Sequence, residues 1–185
     1  MDKSSLTIRE VAHLTGIPFK EVVEQTSIFS TKPSSQKPNG KMLLPKESVL
    51  YFFAIDSVDG EKISFKTKTA LWKAIRQLKE PVDELEVMGK RFFLNPKARD
   101  EWEKTVDYIR KRSEYLEKKP EILGGTTVIK GTRITAYSVR GRLQGKETIN
   151  HLLEDYPYVK QEAFEIADLY AKFNPPYGKP KGLPI

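Results

Sequence analysis

Three glycines, Gly124, Gly125 and Gly131, stand close together in the stretch from Glu121 to Val159, EILGGTTVIKGTRITAYSVRGRLQGKETINHLLEDYPYV. Clustered glycines can let backbone amides converge on a phosphate. That chemistry needs a G-x-G-x-x-G spacing, or a loop closing in Gly-Lys-Ser/Thr, with a helix directly behind it. Neither spacing occurs in this chain. Thr126 to Ile134 alternates as a hairpin does, with Lys130-Gly131 at or near its turn. Gly124, Gly125, Gly131 and Arg133 are therefore read as structural hairpin residues. Arg133 would pin the hairpin to the helices behind it through a carboxylate such as Asp155.

The remaining reactive side chains support no enzyme. With no cysteine in 185 residues, disulfides, thiolate metal sites and a cysteine nucleophile are excluded. His13 and His151 are the two histidines, and neither has a second ligand at metal spacing. The carboxylate groups Asp83-Glu84-Glu86, Asp100-Glu101-Glu103 and Glu154-Asp155 alternate with lysines on helical faces, the pattern of a solvated surface rather than a magnesium site. No cofactor and no metal is expected.

The elements that could position a binding surface are mostly helices. Thr7 to Leu14 reads as a helix, with Thr7 as N-cap and Glu10 three residues on, a capping-box pattern. Gly16 ends it, and Pro18 falls in the first turn of a second helix carrying Val22 and Val23. The polar, proline-broken loop from Ser30 to Gly40 leads through Asn39-Gly40 into a short strand, 41–44. Further helices are expected over 45–55, 67–79 and 96–118. The last would bury Ala98, Trp102, Val106, Ile109 and Leu116. Residues 84–94 read as a hairpin turning at Gly89-Lys90. Pro120 marks a domain boundary. Beyond it, helices are expected over 136–143, 147–154 and 160–172.

Charge indicates the partner. Net charge is +7 and the pI about 9.4, which favours a polyanion, nucleic acid first. Between Phe29 and Lys46 lie Lys32, Lys37, Lys41 and Lys46 with no acid. Between Lys119 and Lys146 six basic residues face only Glu121, and the sign reverses from Glu147 to Ala171. Two basic surfaces and one acidic surface imply more than one partner. No apolar run reaches the ~18 residues of a membrane helix, and Met1-Asp2-Lys3-Ser4 lacks a secretory h-region behind it, so a cytoplasmic protein is expected.

The N-terminal spacing fits DNA binding. Ala12, Gly16 and Val22 stand at the offsets of a helix-turn-helix: a small residue where the helices touch, a glycine for the left-handed turn, and an aliphatic residue that packs the second helix back on the first. Phe19, Lys20, Val23, Glu24 and Ser27 would then face the major groove. Lys32, Lys37 and Lys41 would contact phosphates. LTIREVAHLTGIP…NGKMLLPKESVLYFFAI resembles the winged helix of the MerR-like group, with Lys41 and Leu43 in place of that wing's usual arginine and tyrosine.

The C-terminal third, KPEILGGTTVIKGTRITAYSVRGRLQGKETINHLLEDYPYVKQEAFEIADLYAKFNPP, resembles family 433 among the domains of unknown function. The chain as a whole is similar to longer VapB-like antitoxins. The resemblance implies an antitoxin that neutralises a PIN-like ribonuclease toxin, with a hairpin packed on a three-helix, helix-turn-helix-like unit that is often dimeric. Two positions depart from the family: Thr127 stands where a proline is usual, and Val159-Lys160 lacks the Ser/Thr helix cap, a loss worth about 1 kcal/mol.

Taken together, the sequence implies a mainly α fold with short β-hairpins. Residues 1–118 form a winged helix-turn-helix region with a linking hairpin and long helix, 119–173 the antitoxin-like domain, and 174–185 a proline-rich tail. The partners are operator DNA, the toxin and a second copy of the chain. The acidic residues Glu162, Glu165 and Asp168 make the last helix a poor face for phosphates and fit it for dimerisation or core packing. In the tail, Tyr177, Lys179, Lys181 and Leu183 would engage the toxin. The alternative function is a stand-alone DNA-binding transcriptional regulator.

Overall fold

The computed structural model describes residues 4–29, 42–58, 62–94, 96–122 and 124–176. The fold is mainly helical, with short two-stranded antiparallel hairpins. It divides into two compact units, Met1–Ile109 and Arg110–Ile185.

In the first unit, β1 (Leu6–Thr7) runs into α1 (Ile8–Thr15), α2 (Phe19–Glu24) and α3 (Thr26–Phe29). The short strand β2 (Leu43–Leu44) returns to pair antiparallel with β1, Leu6 opposite Leu44 and Thr7 opposite Leu43. Leu6 and Leu44 are fully buried, so the pairing fixes where α1 starts. Then comes α4 (Ser48–Asp56), every residue of which from Ser48 to Ala54 is buried. A helix apolar all round must sit in the middle of its unit. Phe29 closes an aromatic cluster beside it, with ring centroids 5.1 Å from Tyr51, 5.7 Å from Phe52 and 4.8 Å from Trp72. Burial pushes the Tyr51 phenol well above its ordinary value. It therefore stays a neutral donor, bonded to Gln25 Oε1 at 3.2 Å.

Helix α5 (Phe65–Ile75) is capped by Ser64, whose Oγ accepts the Thr67 N–H at 3.1 Å. The hairpin of β3 (Glu84–Val87) and β4 (Lys90–Phe93) follows. It turns at Met88-Gly89, one residue earlier than the spacing suggested. Both turn residues have positive φ, 53° and 73°, the requirement of a tight turn whose twist matches its strands. Helix α6 (Pro96–Tyr115) stops three residues short of the expected end. Residues 116–118 form a strand instead, because a partner strand elsewhere in the chain takes up their backbone hydrogen bonds. Ala98 and Leu116 are buried as expected, but Thr105 and Tyr108 join the inner side of α6, while Val106 is exposed and Ile109 and Trp102 are only half-buried, Trp102 with Lys46 Nζ 5.2 Å from its ring centroid.

Within the second unit, β5 (Leu116–Lys118) pairs antiparallel with β6 (Thr127–Ile129), Leu116 opposite Ile129 and Lys118 opposite Thr127. Pro120, placed at a boundary by the sequence, thus follows a strand that already belongs to the C-terminal hairpin. The expected turn at Lys130-Gly131 is present: the Ile129 N–H donates to Ile134 O at 2.9 Å, and Val128 bridges to Thr135. Three helices complete the unit: α7 (Ala136–Gln144), α8 (Ile149–Asp155) and α9 (Gln161–Phe173). Helix α7 packs chiefly on α9, where Ala163, Ala167 and Ala171 recur every fourth residue and are buried. Val128, Ile129, Val139, Leu152 and Phe164 fill the space between hairpin and helices.

One polar group inside the first unit carries unusual weight. Glu10 is fully buried. Its Oε2 accepts the Thr7 N–H at 2.7 Å and its Oε1 accepts the Tyr108 hydroxyl at 2.6 Å. Replacing Glu10 by Ala leaves both donors without that acceptor and should cost about 3 kcal/mol. Glu10→Gln, which keeps an acceptor oxygen, should cost less. Urea unfolding monitored by circular dichroism checks the order, and an Ala variant as stable as wild type would show that the buried carboxyl is dispensable.

Candidate nucleic-acid interface

The α1–α2 corner is built from local rules. Thr7 Oγ1 accepts the Glu10 N–H at 3.1 Å while the Glu10 side chain reaches back to the Thr7 N–H, a complete capping box. At the other end Gly16 has φ 75°, and its N–H donates to Ala12 O at 3.0 Å. A Cβ at Gly16 would meet no atom within 4 Å, so it is the left-handed backbone that calls for glycine there. Thr15 Oγ1 donates to Val11 O at 2.8 Å and accepts the Ile17 N–H at 3.3 Å, which stiffens the turn. Pro18 is the N-cap of α2 rather than a residue of its first turn.

On α2, Val22 is fully buried, while Phe19 and Val23 are 49% and 40% exposed. Lys20, Glu24 and Ser27 are exposed with them. Each of the residues selected from the sequence as groove-facing is thus exposed, four of them on α2 and Ser27 on α3. Lys20 and Glu24 approach to 4.0 Å across open solvent, a contact worth little to stability. Arg9 of α1 lies 5.8 Å from the Phe19 ring centroid, a cation–π approach that positions the exposed ring. Neither the Arg9–Phe19 approach nor the Tyr108–Glu10 bond leaves a sequence signal, since spacing shows pairs on one helix but not pairs between helices. Lys32, Lys37 and Lys41, and the Asn39-Gly40 turn, lie outside the described residues.

In the second unit Gly124, Gly125 and Gly131 all have positive φ, 66°, 85° and 76°. No helix starts from them. Helix α7 begins at Ala136 with Thr135 as its cap, Oγ1 accepting the Ser138 N–H at 2.9 Å. The Gly131 N–H donates to Glu117 Oε1 at 2.9 Å, which ties the turn to β5. Thr127, where a proline was the family expectation, donates its Oγ1 proton to the Tyr170 hydroxyl at 2.9 Å and fastens β6 to α9.

The pin assigned to Arg133 falls to another arginine. Arg133 is exposed and makes no ion pair among the described residues. Asp155 is held by Arg142, whose Nη2 stands 2.5 Å from Asp155 Oδ2 and whose Nε donates to Glu147 Oε2 at 2.7 Å. Those two hydrogen bonds, Glu147 first, hold the Arg142 guanidinium more firmly protonated than usual. Arg140 pairs with Asp168 at 2.9 Å and Lys119 with Glu117 at 3.0 Å. Much of the basic stretch from Lys119 to Lys146 is thus neutralised internally, and Lys130, Arg133 and Lys146 form no ion pair among the described residues. His151 caps α8 jointly with Thr148, Nδ1 accepting the Thr148 N–H at 3.3 Å. Lys160 begins α9 with no side-chain cap. Among the described residues no group of three or more His, Cys, Asp or Glu is placed to hold a metal ion, and no helix is long and apolar enough to cross a membrane. Tyr177, Lys179, Lys181 and Leu183 lie outside the described residues.

Residues 116–171, from β5 into α9, match the family described as a protein of unknown function, DUF433. The uncharacterized protein y4eO of Sinorhizobium fredii is 34% identical over 74 residues, which cover 40% of this chain and 34% of that relative. The chain therefore spans about a third of that relative's length. No solved structure matches the chain.

The Glu117 contacts set a pH dependence. Its carboxyl is held below its ordinary 4.5, first by the Gly131 N–H and next by Lys119. A group whose folded pKa is depressed stabilises the fold fully above its unfolded value and loses that contribution as pH falls through the folded value. Thermal melts should therefore show wild type more stable than Glu117→Gln above pH 4.5, with the gap closing on acidification below it. A gap that does not change with pH means the Gly131 contact does not favour the charged form.

Proposed function

We propose that the protein is a cytoplasmic antitoxin of a type II toxin–antitoxin pair, acting by binding rather than catalysis. The first unit holds operator DNA through α2, and the C-terminal region and tail neutralise a PIN-like ribonuclease toxin. The observation that carries the DNA reading is the α1–Gly16–α2 corner, with Val22 buried behind it, Phe19, Lys20, Val23 and Glu24 exposed on α2, and Ser27 exposed on α3. A second helix placed this way can enter the major groove, its N-terminal residues against base edges. Lys32, Lys37 and Lys41 belong to the phosphate-contacting wing in this reading. The net charge of +7 supplies the attraction.

The toxin arm rests on the resemblance of the C-terminal segment to antitoxins. Four prolines between Lys172 and Ile185 forbid a continuing helix. A PIN-like nuclease gathers carboxylates around magnesium, and Lys179 and Lys181 can pair with those carboxylates, with Tyr177 and Leu183 giving apolar contact. The C-terminal unit is also the site of homodimerisation in this reading, which would set the operator half-sites about one helical turn, or a multiple, apart.

Duplex DNA from upstream of the protein's own gene is the probe for the first arm. Deletion of residues 1–60 should abolish binding, and Lys20→Ala should change preference among sequences. Alanine at Lys32, Lys37 and Lys41 should weaken binding to all duplexes and lower the salt slope by about 0.9 for each phosphate no longer neutralised. Retained operator affinity after the deletion overturns the assignment. For the second arm, the product of the neighbouring gene should co-purify with the full chain, and truncation after Phe173 should leave DNA binding intact but remove much of the inhibition. DNA binding with no co-purifying partner would point instead to a stand-alone transcriptional regulator.

A further inference from the structure

Helix α5 and its flanks carry an acid-free run of cations. From Lys62 to Lys79 there are Lys62, Lys66, Lys68, Lys73, Arg76 and Lys79, and no Asp or Glu. None of the six forms an ion pair among the described residues. All are exposed except the half-buried Lys68. Several other cations among the described residues are paired with acids: Arg91 with Glu84, Arg99 with Asp83, Lys104 with Glu101, Arg110 with Glu114, and Arg140 with Asp168.

The helix sorts these residues by face. At 100° per residue, Phe65, Lys66, Thr69, Lys73 and Arg76 fall within an arc of about 100°. Thr67, Leu71 and Ile75 are buried on the far side of the helix and Trp72 at the edge of the arc, and the helix packs on α3 and α4. Arg76 lies 5.9 Å from the Trp72 ring centroid, which sets its direction at the helix end. Phe65, at the start of the same face, is 63% exposed.

The helix dipole favours Lys73 in the last turn and Arg76 at the C-cap but not Lys66, which stands in the first turn, and Lys73 and Arg76 are like charges one turn apart. A repeating array of negative charge would turn the costs at Lys66 and between Lys73 and Arg76 into attraction. Lys66 and Lys73 are two turns apart, roughly 10.5 Å along the axis. Duplex DNA presents a phosphate on each strand every ~3.4 Å of its axis, so the three cations can reach separate phosphates.

We infer that the outward face of α5 is a second duplex-DNA surface, in which Lys66, Lys73 and Arg76 grip the phosphate backbone outside the contacts of α2 and Phe65 packs on deoxyribose. The inference rests on the DNA-binding reading of the first unit. It assigns α5 to affinity and register, with no part in reading sequence.

The test uses the full chain and a labelled mixed-sequence duplex, with binding measured over a series of salt concentrations. The triple variant Lys66→Gln, Lys73→Gln, Arg76→Gln should bind more weakly, and its salt slope should fall by roughly 0.9 for each phosphate that it leaves unneutralised. Lys66→Arg with Lys73→Arg keeps the charge and should keep the slope. In a pool of random duplexes selected by binding, the triple variant should recover the same preferred sequences as wild type. An unchanged slope in the triple variant, with wild-type binding intact, overturns the α5 surface and leaves the α2 reading standing. If wild type binds no duplex at all, both fall together. If the triple variant binds DNA normally but no longer retains the product of the neighbouring gene, the face belongs to an acidic protein and the inference is wrong.

Discussion

A carboxyl group with no access to solvent stands at the beginning of the first helix. Burying such a group without partners is prohibitive, so its surroundings must supply donors in fixed places. Glu10 receives one from its own capping box, at Thr7, and one from Tyr108, 98 positions away. The first bond fixes where α1 begins. The second fastens α1 to α6. The α1–α2 corner hangs on that start: the αL turn at Gly16, the buried Val22 and the outward face of α2 follow from where α1 lies. The exposed face of α2 is held in place by a polar contact in the interior.

The second unit solves a similar problem with charge at its surface. Its helices are short, and α9 starts without a side-chain cap. Arg142 spans from α7 to the loop at Glu147 and to the end of α8 at Asp155, and its guanidinium lies 5.9 Å from the Tyr156 ring centroid. A planar fork can serve two carboxylates at once where an ammonium cannot. Thr127 and Glu117 do the corresponding work for the hairpin, one toward α9 and the other toward the Gly131 turn. These ties draw on several basic residues that composition alone would assign to a polyanion.

That redistribution changes how the net charge should be understood. Where cations are paired inside the chain, as at Arg140 and Arg142, their charge is largely cancelled at the distance of a partner. Where cations form no ion pair among the described residues, as along α5, it is not. Two regions with similar density of basic residues therefore present different fields, and the difference comes from the acids the fold brings beside them.

Local chemistry was legible in the sequence because it acts over three or four residues. The Thr7–Glu10 box, the glycine at position 16, the hairpin before Asn95 and the three C-terminal helices each follow from spacing, and their observed bounds lie within a residue or two of those expected. The exposure of Phe19, Lys20, Val23 and Glu24 was legible for the same reason, because one buried valine orients a short helix. Pairing across the chain was not legible. Residues 116–118 continue a helical pattern and become a strand only because 127–129 offer a free edge. Val106 looks apolar enough for the core, yet Thr105 and Tyr108 take the inner side, and the Tyr108 hydroxyl lies against Glu10. Asp155 could have met either of two arginines, and no spacing rule separates Arg133 from Arg142. Sequence sets what each segment can do alone, whereas the tertiary structure decides which polar groups meet, because a hydrogen bond or ion pair requires two groups within about 3 Å and chain distance carries no information about that.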